Sequence, residues 1–280
     1  MIQEDKRLIV LNSKYSIKNN GEYNSDVLFN FKNILIDTKE ILYSTIAVAS
    51  AIIPVSYYII TENNNALETN NGFIYLSNGN YNSNSFIVEI TEKLVNIGFV
   101  GIIVTININN GILTFEYASP FSFFISSLFS IIGLKSNITS INNVIICTYP
   151  LNLLGNQHLN INSNALITNN YNSDILGDGQ LLNSILCNAP PYGIIEYVNI
   201  NNFSILKNKN ISIIDIKIYD DNNLLLNFQS IDWAITLELT IYRKLKENNN
   251  LNPFDNTLKF DKENDKNEND KNENDKNEND

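Results

Sequence analysis

One histidine, two cysteines and an Asp–Asp pair are the residues of this chain best suited to chemistry. His158 lies in the Asn-rich run NQHLNIN, with Cys147 before it and Cys187 after it. A Cys–His dyad would supply a thiolate nucleophile and its base, yet no sequence signature supports one. A Ser–His–Asp triad would have to draw on the same His158, and the chain has no GxSxG elbow. Zinc needs clustered Cys and His, and only three such residues exist here. His158 therefore reads as a polar loop or strand residue. Asp220-Asp221-Asn222-Asn223 stands between two apolar runs and reads as a turn. Glycosidase work would need facing carboxylates, and a calcium loop is the other use of such a cluster. Gly177-Asp178-Gly179 lacks the Lys–Ser/Thr of a phosphate loop and also reads as a turn. Phe121, Phe123, Phe124 and Phe129, near Tyr117, would suit either a sugar-stacking platform or a packed core, and a core is expected. The expectation is a chain that is not an enzyme, with no catalytic residues, no cofactor and no metal.

The elements around these residues must belong to a large fold. The chain has 280 residues, 44% of them hydrophobic, enough for one large all-β domain or two small ones. Asparagine makes up close to a fifth and isoleucine about a seventh of the chain. Coding drift in an AT-rich genome produces that bias, so Asn clusters read as solvated turns. Net charge is −11, of which residues 261–280, with nine acidic and four basic side chains, hold −5. An acidic body without a basic run argues against direct nucleic-acid binding and against docking on an anionic membrane. The apolar stretches Ile46–Val55 and Phe121–Leu134 fall short of the roughly 20 residues of a spanning helix, so no membrane insertion is expected. The N-terminus, charged from Glu4, lacks an apolar signal region, and secretion is not expected. The two cysteines are expected to be free, buried thiols in a reducing compartment.

Strand-like runs recur throughout. They cover Arg7–Leu11, Val27–Phe31, Ile34–Ile36, Ile41–Ile53, Tyr57–Thr61 and Gly72–Ser77, with a polar loop from Glu62 to Asn71. Val100–Ile108 and Gly111–Tyr117 read as a hairpin turned by Asn109-Asn110-Gly111. Val144–Tyr149 and Leu151–Leu154 are split by Pro150. Leu159–Ile161, Leu181–Cys187, Gly193–Val198 and Phe203–Leu206 follow. Ile87, Ile90, Leu94 and Ile97 share one face of a helix over Phe86–Ile97, capped by Ser83 or Ser85 and ended by Gly98. Ser126–Ile132 is a second short helix. Near the end of the periodic region, ISIIDIKIYDDNNLLLNFQSIDWAITLELTIYR (211–243) sets two alternating strands around a turn. In the second strand Trp233, Ile235, Leu237, Leu239 and Ile241 alternate with Ala234, Thr236, Glu238, Thr240 and Tyr242, the period of a strand with one buried face.

Strands every 8 to 15 residues or so, with few helices, point to an all-β β-sandwich, a single jelly roll. The jelly-roll domain is expected over 1–246, with an insertion within about 62–140. The segment 247–280 ends in the repeat DKEND-KNEND-KNEND-KNEND and is expected to be a disordered acidic tail, since it has little apolar surface to bury.

Several phrases occur in a telling order. They are LNSKY (11–15), SDVLFNFKN (25–33), IIPVSYYII (52–60), YNSNSFIVEITEKL (81–94) and FSIIGL (129–134). Then come YPLNLLGNQHLNINSNAL (149–166), QLLNSIL (180–186), PPYGIIEY (190–197) and IDIKIYDDNNLLLNFQSIDWAITLEL. The set, and above all the D-W-x-x-T-L of Asp232–Leu237, resembles the minor capsid, or penton, proteins of virophages and polinton-like viruses over about residues 8–243. The resemblance implies a single jelly roll that assembles as a homopentamer, plugs the five-fold vertices of an icosahedral shell and contacts the major capsid protein trimers around it. It implies a place in the virion, with assembly inside the host cell in a cytoplasmic virus factory. It also implies an inserted domain in some members and no catalytic residue to carry over; the interface residues stay unknown. The other readings are a jelly-roll carbohydrate- or receptor-binding module, such as a spike base or lectin, and an internal cement protein of a giant virus.

Overall fold

The computed structural model describes residues 2–19, 23–35, 41–166, 180–206 and 210–244. The acidic tail at 247–280 and the Gly177–Gly179 turn lie outside them. The chain begins with β1 (Ile2–Asn12), a 3-10 turn at Ser13–Tyr15, β2 (Ile17–Lys18), β3 (Asp26–Leu35) and β4 (Ile41–Pro54). A middle stretch carries β5 (Ala66–Thr69), β6 (Gly72–Tyr75), α1 (Ser83–Asn96), β7 (Ile103–Ile106) and β8 (Ile112–Glu116). It continues through β9 (Ser122–Phe124), α2 (Phe129–Ile132), β10 (Ile138–Thr139) and β11 (Val144–Pro150). The last part holds β12 (His158–Asn162), β13 (Leu181–Leu186), β14 (Ile194–Val198), β15 (Ser204–Ile205), β16 (Asn210–Tyr219) and β17 (Ala234–Lys244).

Two antiparallel sheets take strands from both ends of the chain. One runs β1-β17-β4-β14, with β15 also on β4; the other runs β13-β12-β16-β3-β2. Setting aside the short β2 and β15, eight strands remain. In chain order they give first–eighth–third–sixth in one sheet and fifth–fourth–seventh–second in the other. That order is the jelly roll, in which two Greek keys interleave the chain's halves. The alternation of apolar residues sets which side faces in. Ile235, Leu237, Leu239 and Ile241 of β17 are buried with Ile46, Val48, Ala51 and Ile53 of β4. Val27 and Phe29 of β3, Ile214, Ile216 and Ile218 of β16, and Leu159 and Ile161 of β12 meet them from the other sheet. A shift of register between Thr236 and Leu237 keeps β17 and β4 paired despite an extra residue.

Between β4 and β12 the chain builds a second, separate hydrophobic core. Phe86, Ile90 and Leu94 of α1 pack there with Leu67, Ile74, Leu113, Phe115, Phe121, Phe123, Ile132 and Ile145. Two small sheets enclose it, β10-β9-β5-β6 and β11-β8-β7. All of its fully buried members fall between Ile60 and Cys147.

Several local expectations change. Asn82, not Ser83 or Ser85, caps α1: its side chain accepts from the Ser85 amide while the Ser85 hydroxyl accepts from the Asn82 amide, a capping box. Glu62–Asn71 is not all loop, because Ala66–Thr69 forms β5. The apolar runs Tyr57–Thr61 and Leu151–Leu154 are not strands; they are the stems of the second core, against which Ile59, Leu151 and Leu153 pack. α2 covers only Phe129–Ile132 and ends at Gly133, whose positive φ of 80° suits glycine. There the Gly133 carbonyl accepts from the Thr148 and Tyr149 amides. The Asn109–Gly111 turn joins β7 to β8, with Gly111 at φ 69° and its amide bonded to the Asn107 carbonyl.

Candidate interaction surface

Two of the phrases, LNSKY and the one that ends in DWAITLEL, meet with Asn24 in a polar knot at the end of the sandwich. Ser13 follows β1, Asn24 precedes β3, and Asp232 and Trp233 precede β17. The Ser13 hydroxyl donates to Asp232 Oδ1 at 2.9 Å and accepts from the Trp233 amide at 3.0 Å. The Ser13 amide in turn donates to the Trp233 carbonyl. The buried Trp233 indole donates from Nε1 to the Asn24 carbonyl at 2.8 Å and meets Phe29 edge-on. The knot satisfies buried main-chain groups at three chain crossings, so the D-W motif is structural here.

The candidate chemical residues fall in two places: Cys187, whose amide donates to the Gln157 carbonyl, lies beside His158 and Asp221, whereas Cys147 lies apart in the second core. His158, at the start of β12, faces Asp221, with Nδ1 3.8 Å from Oδ1. Asp221 also accepts from the Gln157 and His158 amides, and Asp220 from the Asn222 and Leu224 amides. The Asp pair thus ties its own turn to the β12 strand, as a turn cluster does. Burial raises the pKa of the half-buried Asp220 carboxyl. Cys147 lies in the second core, and burial alone pushes its thiol up to about 12. Cys187 is half-buried rather than buried; its sulfur sits 3.3 Å from the Tyr57 hydroxyl, and burial raises its pKa also. Both thiols are free, and both are shifted away from the thiolate that a nucleophile needs. Phe121 and Phe123 are buried and interlock edge-to-face with Phe115, Phe99 and Tyr117, Phe129 is buried in the same core, and Phe124 is half-buried on the other side of its strand.

What remains is surface, and the two outer faces of the sandwich differ. On the β12–β16–β3 side the outward rows are mixed, with polar residues at the centre and the exposed aliphatic Ile17, Leu186 and Ile213 around them. Ser184, Asn160 and Tyr219 form one row, and Asn162, Lys217 and Asp26 the next. The chain's own loops cover part of this face. Asp215 is buried beneath one of them and accepts from the Ser163 hydroxyl and the Asn164 and Ala165 amides. On the β1-β17-β4-β14 side the rows are Asn12–Ala234–Ile52–Glu196, Val10–Thr236–Ser50–Val198 and Leu8–Glu238–Ala47. Here the central strands present Ala234, Thr236, Ser50 and Ala47 beside Ile52 and Glu238, and the flanking strands present Leu8, Val10 and Val198 beside Asn12 and Glu196. Leu8, Val10 and Val198 are 66%, 69% and 73% exposed. Ile52, Ile194 and Ile205 extend the patch. Two of its charges neutralise each other: Lys6 pairs with Glu238 at 3.1 Å, and that bond raises the Lys6 pKa. Lower on the sheet Tyr43 and Tyr242 stack, ring centroids 4.3 Å apart. A broad, flat aliphatic face with small residues at its middle suits contact with another protein surface. The sequence did not single it out, because outward and inward apolar positions look alike until the pairing is known. No described helix is long and apolar enough to cross a membrane.

No family model matches the chain, and no curated protein matches it. Among solved structures it is similar to the crystal structure of selenomethionine-labelled mavirus penton protein, at 14% sequence identity and a TM-score of 0.48, over 84% of this chain and 99% of that one.

Proposed function

We propose that this chain is a structural subunit of an icosahedral virus shell, a penton whose five copies close a five-fold vertex and meet the surrounding major capsid protein trimers. The jelly roll alone does not decide this, since lectins and cupins use it too. The observation that carries the reading is the contrast between the two outer faces. One is mixed and partly covered by the chain's own loops; the other, β1-β17-β4-β14, exposes the larger group of aliphatic side chains, Leu8, Val10, Ile52, Ile194, Val198 and Ile205. A subunit built to be covered by neighbours has such a face, whereas a free monomer is expected to limit it. The ordered phrases from LNSKY to DWAITLEL support the same reading, and the first and last of them meet at the Ser13–Asn24–Trp233 knot. The second core, inserted between the third and fourth sandwich strands, is the inserted domain of this subunit. A ring of five is heterologous: one surface of each copy meets a different surface of the next, and rotation closes the set. Each contact can be weak, because a subunit in a closed ring is held from both sides.

The test is the native mass of the purified chain, alone and mixed with the major capsid protein of the same virus. A fivefold mass, or incorporation at shell vertices, is the expected result. A strict monomer that ignores the capsid protein overturns the proposal.

A further inference from the structure

The second core carries an exposed patch of different chemistry. β5, β6 and β9 turn Leu67, Thr69, Ile74 and Phe123 inward. On their other face Glu68 is paired with Phe73 of β6 on one side and Phe124 of β9 on the other, so Phe73, Glu68 and Phe124 form one cross-strand row. Tyr75, two residues along β6, lies beside Phe73 with ring centroids 6.2 Å apart and planes 17° apart. Phe73 and Tyr75 are 50% and 59% exposed. The Glu68 amide is satisfied by the Ser126 hydroxyl oxygen. Among the described residues its carboxylate has no ion-pair or hydrogen-bond partner.

We propose that this row receives an arginine side chain of a partner protein. The argument is one of complementarity. Both polar atoms of the row are carboxylate oxygens, which only accept. The flanking ring faces are electron-rich and attract cations. A guanidinium is the matching group: planar, always charged, all donors and no acceptor, and able both to fork onto a carboxylate and to lie against a ring. Directly opposed residues stand about 5 Å apart at Cβ, so one guanidinium bonded to Glu68 reaches either ring. A sugar hydroxyl can donate to Glu68 too, but it carries no positive charge to meet the carboxylate and the ring faces. The chain's net charge of −11 also draws basic partners toward it. This inference stands on the second core alone and does not rest on the shell reading.

The test uses the full chain, isotope-labelled, titrated with the acetylated, amidated peptide Gly-Arg-Gly-Arg-Gly and with its lysine and citrulline counterparts, amide shifts being followed by NMR. The arginine peptide is expected to move the amides of 66–75 and 122–124 and to bind at least about threefold tighter than the citrulline peptide. Glu68→Gln, and separately Phe73→Leu, which keeps the apolar bulk but removes the ring, are each expected to weaken that binding by about threefold or more. Three results overturn the proposal: equal binding of citrulline; arginine and lysine binding that neither variant changes, which is diffuse attraction to an acidic chain; and movement of these amides by a set of common mono- and oligosaccharides but not by arginine.

Discussion

The indole N–H of Trp233 points at the main-chain carbonyl of Asn24, 2.8 Å away and more than two hundred residues earlier in the chain. It ties the start of β17 to the start of β3, across the two sheets, in a site where neither group reaches water. Trp233→Phe keeps an aromatic ring beside Phe29 but leaves the Asn24 carbonyl unpaired. The expected loss is about 2 kcal/mol, more than packing alone would give, from the orphaned acceptor and the smaller ring. Urea denaturation followed by far-ultraviolet circular dichroism measures it, and Ser13→Ala, which removes both a donor and an acceptor from the same knot, should lose a similar amount.

Charging the aliphatic face separates folding from assembly. Val10 and Val198 lie in one row of the β1-β17-β4-β14 sheet and point to solvent. Replacing both by lysine is expected to change monomer stability by no more than about 0.5 kcal/mol per site. The same pair should abolish any assembly that covers this face. Thermal melting and native mass spectrometry read the two effects independently; unchanged assembly would show that the neighbours meet elsewhere.

Gly133 carries two constraints at once. Its φ of 80° is left-handed, and a Cβ there would overlap the Tyr149 carbonyl oxygen, which belongs to backbone. Gly133→Ala must therefore displace either α2 or β11. A loss of more than about 3 kcal/mol is expected, confined to the second core. Hydrogen exchange should show 60–150 losing protection while β4, β16 and β17 keep theirs.

The Cys147 thiol makes the second core sensitive to alkali. Its pKa rises to about 12 in the fold from an ordinary 9, because burial disfavours the thiolate. A raised folded value means the native state holds the proton while the unfolded chain releases it. Stability is thus independent of this group below pH 9 and falls between pH 9 and 12, by up to about 1.4 kcal/mol per pH unit. The buried Tyr57 phenol, also raised by burial, adds to the decline at the upper end. Cys147→Ala should flatten the pH profile of the melting temperature across that window, even though it lowers stability at pH 7.

Much of the sandwich was legible because its strands are long and buried on one side. Trp233 through Ile241 alternates without a break, and all five inward residues are buried in the structure. The short strands of the second core were harder. β5 has only Leu67 and Thr69 to turn inward, too few for a period to emerge among the asparagines around it. Conversely, the Tyr57–Thr61 and Leu151–Leu154 runs are apolar without being strands, because they pack as stems. Alternation predicts that a strand has two sides. It does not predict that the outer side at Leu8, Val10 and Val198 is also aliphatic, nor that Glu68 falls between Phe73 and Phe124, since both depend on partners far away or in another strand.

The pairing of β1 with β17 joins Ile2 to Lys244 and Asn12 to Ala234, whereas the second core draws its fully buried residues from Ile60 to Cys147. These two parts therefore mature on different clocks. The second core has all its residues once the middle of the chain has left the ribosome, and it can fold while synthesis continues. The outer sheet waits for the last strand, and its long loop closures make it the slow step. Until β17 arrives, β1 and β4 lack the strand that lies between them, and the nascent chain has no completed β1-β17-β4-β14 face. Synthesis order thus keeps any contact through this face from forming until each copy is complete.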